Sequence, residues 1–185
     1  MSLMQRYRLY VDNDDPLAAA SNFIAVMVAA SQPFYPLYVY WVIGGDYWPT
    51  LFTFFSTPFF LAVPALARSH SMAGRALLPI AGTANTALAS LLLGPQSGVL
   101  LFLMACVLIA AVQFRKSERW CAFVLVAAST AAYFLLKGTT QYALVNLSDS
   151  AATGLIALNA FSVGALLVIA GFSFADAIRN DRHER

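Results

Sequence analysis

Charge is scarce in this chain, and where it occurs it is crowded into short clusters. Only 11% of the 185 residues are charged against 60% hydrophobic, a balance too apolar for a water-facing surface and expected of a membrane protein. No Asp, Glu, Lys, Arg or His stands midway along any long apolar run. Proton relays, ion-coupled carriers, voltage sensors and retinal Schiff bases generally place an ionisable group there, so a proton-driven transporter is disfavoured. Histidine is nearly absent. His70 and His183 both fall outside the apolar runs, which excludes a bis-histidine intramembrane cytochrome and a Ser-His protease. The lack of paired intramembrane carboxylates likewise excludes an aspartyl protease. Of the two cysteines, Cys106 stands inside an apolar run and Cys121 follows a basic cluster; neither a disulfide framework nor a metal-ligand spacing results, and both read as small buried hydrophobes. The expectation is a protein that is not an enzyme and holds no metal or cofactor. A net charge of +2 without a basic tract also argues against nucleic acid as a partner.

What the chain does have is length of hydrocarbon. A spanning helix needs about 20 mostly apolar residues, and six stretches qualify: 17–43, 48–67, 75–94, 97–114, 119–137 and 152–175. Continuous runs of this length require helices rather than a β-barrel. The expected fold is therefore all-α, a six-transmembrane-helix bundle over 16–175, preceded by a cytoplasmic or interfacial segment 1–15 and followed by a cytoplasmic tail 176–185. No small-residue cleavage site follows the first run, so the N-terminus is expected to remain. Orientation follows from Lys and Arg. Arg6, Arg8, Arg68, Arg75, Arg115, Lys116, Arg119, Arg179, Arg182 and Arg185 fall on one side of the six spans, and of the 11 basic residues only Lys137 falls on the other. The positive-inside rule then places both termini in the cytoplasm. Trp41, Tyr47, Trp48 and Tyr142 mark the outer boundary and Trp120 the inner one, as an aromatic belt would.

Local signals refine the ends. Asp14 or Asp15 before Pro16 is a helix start, with a side-chain oxygen to cap and Pro at the first helical position. Leu3, Met4, Tyr7 and Tyr10 recur at helical spacing beside Arg6 and Arg8, as in a short interfacial helix; a frayed terminus is the alternative. The first span is long for a ~30 Å hydrocarbon core and contains SQPFYPLYVYW, so a kink or tilt is expected at Pro33 and Pro36. His70, in RSHSMAGR, reads as a solvated loop histidine.

Polar residues inside so apolar a chain fall into two sets. Gln32, Tyr35, Tyr38, Trp48, Thr53 and Ser97 surround the kink, the start of the second span and the GPQSG turn. Together they are the candidate ligand-binding residues of an outer-half pocket, the alternative being belt aromatics around a packing kink. Asn22, Asn85, Thr86, Asn159 and Ser162 lie deeper, where an amide is costly without a partner; interhelical hydrogen bonding is the first reading of them and ligand contact the second. Ala128 with Ala132, and Ala160 with Gly164, are small-xxx-small pairs suited to close helix packing or a homodimer across spans five and six.

One layout extends over nearly the whole chain. QPFYPLY in span one is followed by an asparagine-bearing third span, Asn85, that runs into an LG-x-x-SG turn, Leu93, Gly94, Ser97 and Gly98, and then by a fourth span bearing Phe102 and the RKSERW segment. This resembles the six-helix N-terminal membrane domains of bacterial class III adenylate cyclases and diguanylate cyclases. The resemblance implies a sensory role, a dimerising bundle that transmits a signal through its sixth helix, although the tail FADAIRNDRHER stops where a cyclase linker begins. The functional expectation is a non-enzymatic, sensor-like or regulatory membrane module that recognises a ligand or partner. The alternatives are an accessory subunit of a larger membrane complex and a facilitator of a small uncharged solute. The expected partners are the lipid bilayer and a homodimer or another membrane protein.

Overall fold

The computed structural model describes residues 2–45, 47–139 and 143–183; Tyr142 and Arg185, each part of the expectations above, lie outside them. Helices account for 86%, with no strand among the described residues. Asp15 caps α2 (Pro16–Ser31) through a 3.0 Å bond from the Leu17 N–H, with Pro16 at the first helical position as the sequence predicts. Before it, α1 (Leu3–Val11) is a true helix, closed by a capping box between Ser2 and Gln5. Arg68 holds α1 in place, donating to the Leu9 carbonyl at 2.9 Å and lying over the Tyr10 ring.

The kink in the first span is a complete break. Pro36 has no N–H for the Gln32 carbonyl, which accepts instead from the Tyr35 N–H at 3.1 Å, and the chain turns by 47° into α3 (Phe34–Ile43). The second span also changes character along its length. Trp48–Ser56 is a 3₁₀-helix and only Thr57–Ser69, α4, is α-helical. Nine residues is long for a 3₁₀ run, and its cause is visible in the sequence. Thr50, Thr53 and Ser56 recur every third residue, and each hydroxyl donates to the carbonyl three residues back, at 2.6, 2.6 and 2.7 Å. With three residues per turn those hydroxyls eclipse on one face, which is buried against α5 (Ser71–Leu93).

After α5 the chain reverses through Gly94 and Gly98, both at positive φ, and returns through two single 3₁₀ turns into α6 (Phe102–Val112). α6 is shorter than the expected 97–114 span, because its first turns are spent in the reversal. The return nevertheless runs the length of α5: Gln113, at its end, meets Arg75 in the first turns of α5 at 2.6 Å. α7 (Arg119–Leu136) then packs on α5 and α6. α8 (Asp149–His183) is one continuous helix of 35 residues, so 176–183 of the expected tail continue the helix of the last span. At about 1.5 Å per residue it reaches roughly 52 Å, well past a ~30 Å hydrocarbon core.

The core sits between α2, α4, α5, α6 and α8, around Ile24, Phe60, Val63, Leu78, Ile109 and Phe174. Among the described residues, four helices are long and apolar enough to cross a membrane, five with the bent α2–α3 pair counted as one span. The chain is therefore a helical membrane bundle.

Candidate ligand cavity and the ionic cluster beneath it

A cavity of about 280 Å³ opens inside this bundle. Its walls are α2 at Ile24, Met27 and Val28, the break at Gln32 and Tyr35, α5 at Leu78, Gly82, Asn85 and Thr86, α6 at Ala105 and Ile109, and α8 at Ser162, Leu166 and Ile169. Four of the expected pocket residues line it, namely Gln32, Tyr35, Tyr38 and Thr53. Two do not. Trp48 is 51% exposed on the outside of the bundle, and Ser97 is fully buried in the turn, its hydroxyl donating to the Gly94 carbonyl at 2.6 Å. The cavity therefore lies deeper than a pocket between the outer loops, because the GPQSG turn packs solidly against α8. There Asn159 donates to the Ser97 carbonyl at 2.9 Å, and a Cβ on Gly98 would come within 2.9 Å of the Ile156 Cα.

The deep polar residues divide accordingly. Asn85, Thr86 and Ser162 are on the cavity wall. Asn159 is interhelical glue, as its burial at 0% requires. Asn22 is equally buried, yet its partner is the Val11 carbonyl at 2.9 Å, so it fixes α1 to α2 rather than joining two spans. The small-residue pairs do no packing work within the chain. Ala128, Ala160 and Gly164 are exposed and Ala132 is half-buried, and nothing lies within 4 Å of where a Gly164 Cβ would stand.

At the cavity's polar wall Gln32 is a hub. Its Oε1 accepts from the Thr57 hydroxyl, and its Nε2 donates to the Ser56 hydroxyl and, at 3.3 Å, to the Thr53 carbonyl. Ser56 in turn donates to Asn85 Oδ1 at 2.9 Å. Gln32, 6% exposed, thus joins the break in the first span to the 3₁₀ segment and, through Ser56, to α5. A buried amide without these partners would be strongly unfavourable.

At the opposite end of the same helices lies an ionic cluster for which charge counting alone gives no hint. Arg75, expected at a loop boundary, is inside α5 and only 1% exposed. It donates in parallel to Glu118, Nη1 to Oε2 and Nη2 to Oε1, both at 2.8 Å, and its Nη1 also donates to the Gln113 carbonyl. Phe114 covers its guanidinium at 5.5 Å. Arg115 binds Asp15 with Nη1 at 3.0 Å and Nη2 at 2.9 Å, and reaches Asp181 at 2.7 Å. Asp15 also accepts from Ser71 and lies 3.6 Å from Arg75. Burial alone would raise the Asp15 pKa, but hydrogen bonds from Arg115 and Ser71 and the charges of Arg75 and Arg115 hold it below its ordinary value of 3.8. Burial similarly disfavours charge on Arg115, and its bonds to Asp181 and Asp15 outweigh that, so its pKa is raised.

No protein-family model, curated protein or solved structure matches the chain.

The cluster escapes sequence reasoning because its partners are 43, 66 and 100 residues apart. Each charge read alone is a topology marker. The 3₁₀ hydroxyl face carried a usable signal, the spacing of three between Thr50, Thr53 and Ser56. Among the described residues no group of His, Cys, Asp and Glu is arranged to hold a metal ion.

Proposed function

We propose that the chain is a non-enzymatic, sensor-like module of a bacterial inner membrane, which takes a small ligand into the cavity and transmits its presence to the cytoplasmic end. The observation that carries this reading is that α2 and α8, which pack against each other, both line the cavity and are clasped below it by one side chain, Arg115, bound to Asp15 before α2 and to Asp181 near the end of α8. A ligand that spreads α2 from α8 acts directly on that clasp. The cyclase-type membrane domains that the sequence resembles would use their last helix in the same sense.

Six passes with both termini in the cytoplasm fit this arrangement. The starts of α2 and α5 and the ends of α6 and α8 meet in the ionic cluster, so successive traverses begin and end at one level. Arg6, Arg8, Arg68, Lys116, Arg119 and Arg179 belong to that same end, where the positive-inside rule puts cytoplasm.

The test is amide hydrogen exchange over 176–183 in lipid nanodiscs, comparing the wild type with Ala105→Phe, which fills the cavity and leaves the cluster residues in place. Altered protection in Ala105→Phe that disappears when Arg115→Gln is added supports the coupling. Unchanged protection overturns it.

An accessory subunit of a larger membrane complex is the second reading, favoured by the apolar outer face of α7 and α8. Phe123, Phe134, Phe161 and Phe172 are all exposed there beside Ala128, Ala160 and Gly164. Purification in a mild detergent separates the two, since an accessory subunit co-purifies with its complex in fixed ratio and a module of the first kind comes away as a monomer or homodimer.

A further inference from the structure

The hydrogen bonds on the cavity wall have a direction, and that direction says what the cavity can hold. A threonine or serine hydroxyl has one proton, a glutamine amide has an acceptor end and a donor end, and each bond fixes the orientation of the next. Thr57 gives its proton to Gln32 Oε1, which assigns the other end of that amide as Nε2, and Nε2 donates to Ser56. Ser56, having accepted, shares its own proton between the Thr53 carbonyl and Asn85 Oδ1. The chain of donation therefore runs Thr57 to Gln32 to Ser56 to Asn85 and ends on an asparagine whose acceptor is used. What is left is the Asn85 Nδ2 group, with two protons, no hydrogen-bond partner among the described residues, and a place on the cavity wall. Its neighbour Thr86 is a second lining residue whose hydroxyl makes no hydrogen bond among the described residues. Successive bonds of this kind polarise one another, so the terminal N–H is a stronger donor than an isolated amide.

The rest of the lining sets the other limits. The hydroxyls of Ser162, Ser31 and Thr53 are turned back on carbonyls of their own helices, and none of the described residues that line the cavity is charged, so an ionic group would be buried without a counter-charge. Tyr35, also in the lining, has a buried hydroxyl with no hydrogen-bond partner among the described residues, and the rest of the wall is largely aliphatic or aromatic, as at Ile24, Met27, Val28, Phe60, Leu166 and Ile169. The lining residues that are exposed, Ser31, Tyr38 and Ala165, mark the mouth on the seam between the first span and α8. Ala165 is midway along α8, so the mouth opens to hydrocarbon rather than to water.

Building on the proposed function, we infer that the cavity takes an uncharged lipophilic carbonyl compound from the bilayer, its oxygen accepting hydrogen bonds from Asn85 Nδ2 and Thr86 Oγ1 and its apolar body lying against α2 and α8. A carbonyl oxygen has two lone pairs for two donors, and a cavity of about 280 Å³ admits a compact head or one end of a chain rather than a whole phospholipid.

The experiment uses the full chain in nanodiscs, with 2-tridecanone and n-tridecane as a matched pair of probes and thermal unfolding as the readout. The expected result is a rise in Tm with the ketone and little or none with the alkane. Asn85→Leu should weaken the ketone's apparent affinity about tenfold, the loss of one hydrogen bond to a buried site. Thr86→Val, a change of one atom that leaves the Gln32 chain untouched, should weaken it by a smaller factor and guards against misfolding of the Asn85 variant. Ala105→Phe should abolish the effect. If ketone and alkane stabilise the wild type equally and Ala105→Phe abolishes both, the cavity binds by shape alone, and the carbonyl inference falls while the ligand-module reading stands. If the ketone binds Asn85→Leu and Thr86→Val as well as the wild type, the donors are unused and the inference falls. If neither probe shifts the Tm of any variant, the cavity holds only water and both readings fall together.

Discussion

Arg75 and Glu118 meet through two parallel hydrogen bonds of 2.8 Å, joining the first turns of α5 to the segment that leads into α7. The arginine is almost completely buried and the glutamate is mostly so. An ion pair in such a place is not evidence of great net stability, because removing both charges from water offsets much of their attraction. Its consequence is asymmetric. With the pair intact the arginine's donors are used by Glu118, Gln113 and Ser71; with Glu118 gone the buried cation loses its two short charged bonds and keeps only Asp15, 3.6 Å away, as a counter-charge.

The first prediction follows. Glu118→Gln should destabilise the protein by about 3 kcal/mol, in the range found when one partner of a buried pair is removed. Lys116→Gln, an exposed neighbour in the same turn, should change stability by less than about 0.5 kcal/mol. Detergent unfolding midpoints of the two variants measure the contrast, and equal midpoints would show that Arg75 finds water or another partner at no cost.

Acid should loosen the same end of the molecule. The Asp15 carboxyl has its pKa lowered in the folded protein, so it binds fewer protons folded than unfolded. By linkage its contribution is present above the unfolded value and is lost as the pH falls through the folded one. Unfolding midpoints should therefore drop below the usual carboxylate range, and Asp15→Asn should be less stable at neutral pH with a shallower acid dependence. Burial alone would raise the Glu118 pKa, but hydrogen bonds from Arg75 and from the Arg115 N–H outweigh it, so Glu118 adds an acid dependence of the same sign; Arg75, Arg115 and Asp181 are the other charged groups of the cluster. A residual slope in Asp15→Asn is thus expected, but an undiminished slope would show that Asp15 is not the coupling group.

Much of this architecture was legible in the sequence because its causes are local. Pro16 after Asp15 starts α2 where expected, and Pro33 with Pro36 breaks the first span, since both act on hydrogen bonds within a turn of themselves. Gln32 and Asn85 stand out for being amides in hydrocarbon, and both proved to be on the cavity wall. Relations between distant residues were not legible. That Ser56 joins those two amides depends on the 3₁₀ register of Trp48–Ser56, and that Arg115 finds Asp181 depends on α8 continuing past the membrane. Trp48 and Ser97 were misplaced for one reason: a place at the outer end of a span or in a turn says nothing of which face a side chain takes.

Topology can be read chemically. Cys106 and Cys121, the native cysteines, are both buried, so a single exposed cysteine at Ser148→Cys gives a clean signal. It should react with a membrane-impermeant thiol reagent from outside the cell, while a reporter fused to the C-terminus should be active only in the cytoplasm. Reversed labelling, or labelling of Ser148→Cys only after permeabilisation, would refute the six-pass arrangement.

Two glycines should behave in opposite ways, and the difference separates packing inside the chain from packing against a partner. Gly98 has φ of +77°, and a Cβ there would stand 2.9 Å from the Ile156 backbone. An alanine must bear both the left-handed backbone, about 1–2 kcal/mol, and the displacement of α8, about 1–3 kcal/mol. Gly98→Ala should thus cost roughly 2–5 kcal/mol and weaken the contact from Asn159 to Ser97. Gly164 is on the outer face of α8 with open space around it. Gly164→Leu should leave the monomer's unfolding midpoint unchanged or raise it by up to about 1 kcal/mol, the gain in helix propensity. If a homodimer forms through this face, the same change abolishes it, so sedimentation of Gly164→Leu in detergent reports on the partner while its stability reports on the fold. A large loss of monomer stability in Gly164→Leu would contradict the position of α8, because it would require a neighbour within the chain where the structure has none.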